Sequence, residues 1–157
     1  MSEPRDVPCA RIAAINTRIA DQMFTETGSR ALRFRARKLC EACPLRVPCL
    51  VKSFRQDATN DAIIGGLNYR ERLAVRKKVA GEFQTTARRV GRLNASHVTR
   101  YLREHPEILD EARESVKTGY AAAHDKSEQK RSDRADYELK HMILMCTGFG
   151  SAFRDKF

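Results

Sequence analysis

The chain has 157 residues, 41% hydrophobic and 32% charged, with 30 Lys+Arg against 20 Asp+Glu and a formal net charge of +10. That length fits one domain or a small domain with an appendage, and that charge favours a polyanionic partner, either nucleic acid or an anionic membrane surface. No run of 18 apolar residues occurs, and Met1–Ile15 has neither a basic leader nor an uninterrupted apolar stretch, which argues against a spanning or secreted chain. The expected setting is a reducing cytoplasm, close to the nucleoid, where the five cysteines need a role other than disulfides.

In chain order, Ile12, Ile15, Ile19 and Met23 recur at helical spacing and predict one N-terminal helix with a single apolar stripe. Leu32, Phe34 and Leu39 predict a second helix that runs up to Cys40. Val47, Leu50, Val51 and Phe54 form an i, i+3, i+4, i+7 set, so a third helix begins just after Pro48 or slightly before it. Gly65-Gly66 breaks the chain, and Asn68 with Glu71 three residues on has the form of a capping box opening a helix through Val79. Thr86–Val90 and Ser96–Arg103 are expected as two short helices around Gly91. Pro106 suits the first turn of a helix carrying Ile108, Leu109, Ala112 and Val116. From Thr118 to Asp136 large apolar residues nearly vanish, which predicts a solvated linker or a marginal helix. Tyr137–Met145 then predicts a last amphipathic helix ended by Gly148. With no period-two strand pattern, the fold class is all-α. The expected organisation is a helical domain at 1–80, a basic helical extension at 81–117, a polar linker at 118–136 and a C-terminal helix with its tail at 137–157.

The cysteines carry the strongest chemical signal. Cys40, Cys43 and Cys49 form a C-x2-C-x5-C block stiffened by Pro44 and Pro48, and Cys9 can supply a fourth ligand if the first helix folds back. Four thiolates suit an iron–sulfur cluster or tetrahedral zinc, and spacing alone does not choose between them. Isolated buried thiols are the plainer alternative, but three cysteines within ten residues speak against it. A redox pair at Cys40 and Cys43, making the protein a thiol–disulfide oxidoreductase, would call for a preceding strand where the residues before Cys40 are arginine-rich and helical. Cys146, in the apolar run from Met142, is expected as a core thiol.

Together with Asp21-Gln-Met-Phe24, Gly28 and the downstream stretch Ile63–Lys78, the block resembles the WhiB-like family of actinobacterial and actinophage transcription factors. Members place a Gly-x-Trp-Gly-Gly turn after the cysteines, followed by a basic helix; here that turn is Ala62-Ile63-Ile64-Gly65-Gly66, with Ile64 at the Trp position and Thr25 at a second family Phe. The resemblance spans roughly Cys9–Lys78. It implies a [4Fe-4S] cluster on Cys9, Cys40, Cys43 and Cys49, and docking on the C-terminal domain of the primary sigma factor of RNA polymerase. Ile64, Gly65 and Gly66 stand at the family's sigma contact.

Double-stranded DNA is the expected second partner. Asn68–Arg103 carries ten basic side chains against Glu71 and Glu82. Within it Arg70, Arg72, Arg76, Lys77 and Lys78 form one candidate phosphate-contacting face, with a solvated helix face as the alternative. Thr86–Leu102 has the form of a helix-turn-helix with a turn one residue too long. In that arrangement Asn94, Ser96, His97, Thr99 and Arg100 would face the major groove, and Arg88, Arg89 and Arg92 the phosphates; a helical hairpin that only packs on its neighbours is the alternative. The expected function is regulatory binding without substrate turnover: a cluster-bearing, DNA-binding transcriptional regulator, or alternatively a zinc-stapled DNA-binding protein.

Overall fold

The computed structural model describes residues 7–25 and 28–146, and among these the regular structure is helical. The helices are α1 (Pro8–Ile15), α2 (Thr17–Phe24), α3 (Arg30–Glu41), α4 (Arg46–Arg55), α5 (Tyr69–Glu82), α6 (Ala95–Glu104) and α7 (Glu107–Cys146), with a 3-10 turn at Val90–Arg92. The all-α expectation holds. Gly148 and the tail from residue 147 onward lie outside the described residues.

Two compact units divide the chain, Met1–Val116 and Lys117–Phe157. The first has two apolar cores. The larger joins Leu50, Val51 and Phe54 of α4 to Leu67 of the turn before α5, Val75 and Val79 of α5, Val90 of the 3-10 turn, Val98 and Leu102 of α6, and Ile108, Leu109 and Ala112 of α7. The smaller gathers Met23 of α2, Ala36 of α3 and Ile63, flanked by Ile12, Phe24, Leu32 and Leu39.

Local chemistry places most boundaries. Ser29 caps α3 by accepting from the Leu32 amide. Asn68 and Glu71 form the full reciprocal capping box of α5, the side chain of each accepting from the backbone amide of the other. The third helix begins at Arg46, two residues before Pro48, whose missing amide costs nothing in a first turn. Between α4 and α5, Ile64 and Leu67 exchange both backbone hydrogen bonds around Gly65 and Gly66, whose φ values are +59° and +78°. Two consecutive positive φ values make this a tight primed turn, which glycine adopts without steric cost.

Three expectations are corrected. The N-terminal stripe is two helices, because Asn16 leaves helical geometry and its side chain caps α2 at the Ile19 amide. Ile15 is consequently 86% exposed, and only Met23 of the stripe is buried. Thr86–Val90 is no α-helix but a turn leading into the 3-10 segment. A Cβ on Gly91 would stand 2.3 Å from the Phe54 carbonyl oxygen, so glycine here lets the turn lie against the end of α4. The segment expected to close in a separate helix, Tyr137–Met145, belongs to α7 without a break. Residues 118–136 are helical and exposed throughout.

Candidate metal centre

The four predicted ligands come from separate pieces of chain. Cys9 lies in the first turn of α1, Cys40 in the last turn of α3, Cys43 in the connection that follows, and Cys49 in α4. Tertiary folding brings all four to the wall of one pocket of about 280 Å³, completed by Val7, Leu45, Arg46, Pro48, Lys52 and Gly65. Cys40 and Cys43 are half-buried, whereas Cys9 and Cys49 are exposed at the rim. Cys146, on α7, is exposed, which corrects the expectation of a core thiol.

The glycine turn closes on the cysteines. The Gly66 amide donates to the Cys40 sulfur and the Gly65 amide to the Cys49 sulfur. A Cβ on Gly66 would sit 3.3 Å from Cys40 Cβ, and one on Gly65 3.0 Å from the Arg46 carbonyl oxygen. Both glycines therefore serve close approach as well as backbone geometry. Burial pushes the Cys40 thiol up to about 11, against the Gly66 hydrogen bond and with help from charge on Cys49, Cys9 and Cys43. Cys49, exposed as a residue, is raised too, chiefly because its sulfur is desolvated where it faces the pocket. Cys40 and Cys49, which resist ionisation as desolvated free thiols, become thiolates only with a cation beside them. The donor set fits a thiophilic metal or cluster.

Ile64, at the position of the family's aromatic, is half-buried and paired with Leu67, while Gly65 and Gly66 are buried beneath it. Of the predicted sigma-contact residues only Ile64 has a side chain to offer a partner.

The candidate DNA residues divide. Arg70, Lys77, Lys78, Arg88, Arg89, Arg92, Asn94, His97 and Arg100 are exposed. Arg72 and Arg76 are not, and their assignment to phosphate is corrected. Arg72 is 2% exposed and donates to the backbone carbonyls of Ala58, Asn60, Ala62 and Leu67. Arg76 donates to the carbonyls of Ala87 and Arg88 and pairs with Asp57 at 2.6 Å. Both guanidiniums satisfy loop carbonyls that helix α5 covers, which is why a basic stripe points inward. Lys78 pairs with Glu111 at 2.5 Å. Asn94 caps α6 by accepting from the Ser96 amide, so its carbonyl oxygen is occupied by its own helix. With one α-helix where two were expected, Thr86–Leu102 is not a helix-turn-helix.

Two arginines went unnoticed in the sequence. Arg46 Nε donates to the Gly65 carbonyl at 3.2 Å, and Arg113 Nη2 to the Gly66 carbonyl at 3.1 Å. No spacing rule reveals them, since their partners are backbone atoms of a distant turn. A second feature, an open pocket of about 670 Å³ along α3, is lined by Arg30, Arg33, Phe34, Arg37 and Lys38 with Arg113.

Among the described residues no helix is long and apolar enough to cross a membrane. Neither a curated protein nor a solved structure matches the chain. The family model described as transcription factor WhiB matches residues 9–75, a span that contains all four pocket cysteines and the glycine turn. Over residues 9–75 the chain is thus similar to the WhiB family of transcription factors.

Proposed function

We propose that this protein is a DNA-binding transcriptional regulator whose N-terminal domain holds a [4Fe-4S] cluster on Cys9, Cys40, Cys43 and Cys49 and acts through the primary sigma factor. The observation that carries the reading is the meeting of four cysteines, from α1, α3, the α3–α4 connection and α4, at one pocket of about 280 Å³. Among the described residues no three of the cysteine sulfurs lie within 4.8 Å of one another, a wider spread than tetrahedral zinc with bonds of about 2.3 Å to sulfur asks for. When bound, a cluster supplies a cross-link between helices that oxidation or nitrosylation can remove.

The chain's own residues give that cross-link its consequence. Cys9 tethers α1, whose Ile12 flanks the small core of Met23, Ala36 and Ile63. Three fully buried or nearly buried side chains are too few to hold α1–α3 on hydrophobic burial alone, so metal binding contributes to folding. Ile64, beside the cysteines, offers a half-buried apolar contact to a protein partner. Arg88, Arg89, Arg92 and Arg100 present charge to DNA phosphates from the extension, and His97 stands exposed on the same helix as Arg100.

Anaerobic purification with iron and sulfide assays tests the cofactor. A brown protein with broad absorption near about 400 nm is expected, and a colourless protein with stoichiometric zinc would reject the cluster. Co-purification with the C-terminal domain of the primary sigma factor tests the partner. An Ile64→Ala variant with undiminished sigma affinity would remove Ile64 from that contact.

A further inference from the structure

Arg113 lies in α7, outside residues 9–75, yet its guanidinium reaches the cysteine site. Nη2 donates to the Gly66 carbonyl at 3.1 Å, and Nη1 pairs with Glu41 Oε1 at 2.9 Å. Glu41 directly follows Cys40, and the Gly66 amide donates to the Cys40 sulfur. One side chain therefore grips Gly66, the donor of that amide–sulfur contact, and Glu41, the residue next to its acceptor. The grip is close: a Cβ on Gly66 would come within 3.3 Å of both Arg113 Nη2 and Cys40 Cβ. Arg113 Nε is buried with no hydrogen-bond partner. A guanidinium tolerates such a loss only where its other donors are well used.

The anchor behind this grip is the larger core. Ile108, Leu109 and Ala112, in the turns of α7 just before Arg113, are buried with Val98 and Leu102 of α6 and Leu50 of α4. Arg46 secures the neighbouring peptide from within residues 9–75, its Nε on the Gly65 carbonyl.

We propose that Arg113 is a positioning residue of the cysteine site: by bracketing Gly66 and Glu41 it holds the Gly66 amide on the Cys40 sulfur, and so makes metal retention depend on the helical extension beyond residue 75. The inference rests on the reading that the four cysteines hold a metal group. Hydrogen bonds to ligand sulfurs and nearby positive charge stabilise the more negative, reduced state of a cluster and slow loss of metal.

The full-length protein, its Arg113→Ala and Arg113→Lys variants, and an Arg134→Ala control in the exposed pair with Glu138 are purified anaerobically. Two quantities are measured: the rate of metal release to an excess of chelator and the midpoint reduction potential. Arg113→Ala is expected to release metal roughly tenfold faster, the effect of losing a charge-assisted hydrogen bond, and to shift the potential negative. Arg113→Lys, which keeps the charge without the fork, falls between, and Arg134→Ala matches the unaltered protein. A lowered melting temperature with unchanged release rate and potential overturns the proposal, since a merely structural arginine would give that result. If Arg113→Ala does not fold, an Arg113→Lys release rate equal to that of the unaltered chain overturns it equally. Should the unaltered protein hold zinc, the cluster reading falls while zinc release tests Arg113 in the same way; a chain that retains neither metal overturns both.

Discussion

Replacing Arg72 by Met separates a structural arginine from a phosphate-binding one. The side chain is 2% exposed, and its guanidinium donates to four carbonyls spread over Ala58–Leu67, at 3.2 Å to Leu67, 3.2 Å to Ala58 and 2.6 Å to Asn60, with Ala62 the fourth. Methionine keeps most of the aliphatic stem and its packing, so the change isolates the polar contacts. Each intramolecular hydrogen bond contributes about 1 kcal/mol net. Some of the four carbonyls can turn to water, so a loss of about 3 kcal/mol of unfolding free energy is expected. Urea unfolding followed by circular dichroism, with all samples in one metal state, measures it as a lower midpoint at unchanged slope. At fixed temperature below the transition, DNA affinity of the folded fraction should not change. A stability loss under about 1 kcal/mol together with weakened DNA binding would refute the reasoning and return Arg72 to the phosphate-contacting set.

Cys9→Ser, Cys40→Ser, Cys43→Ser and Cys49→Ser should each abolish metal content and reduce helical signal in the α1–α3 region, read by metal analysis and circular dichroism; Cys146→Ser, exposed on α7, should change neither. Gly91→Ala forces a Cβ to 2.3 Å from the Phe54 carbonyl, and a destabilisation of roughly 2 kcal/mol in thermal unfolding is expected from the backbone shift it demands. Alanine at Arg88, Arg89 and Arg92, all exposed, should weaken binding to every DNA sequence alike. Removing each arginine that neutralises a phosphate should flatten the log affinity–log salt slope by roughly 0.9. The same slope should survive Arg76→Met, whose effect belongs in stability through the Asp57 pair and the carbonyls of Ala87 and Arg88.

The sequence by itself determined what short-range chemistry decides. The helix periods from Leu32 to Val79, the Asn68–Glu71 capping box, the glycine turn and the spacing of Cys40, Cys43 and Cys49 depend on residues within a few positions of one another, and these appear in the fold. Residues whose direction depends on distant chain were not legible. Arg72 and Arg76 have the same composition and spacing as a solvated basic stripe; they point inward because the segment from Asp57 to Leu67 and the Ala87–Arg88 turn leave carbonyls against α5 that need donors. The break at Asn16 was hidden for a related reason, since Ile12 to Met23 keep helical spacing across it and only packing on α3 and Ile63 selects Met23 over Ile15. Arg113 carries no local signal at all. Its role exists only because the tertiary structure sets the start of α7 against Gly66 and Glu41, where one planar fork can reach a carbonyl and a carboxylate at once.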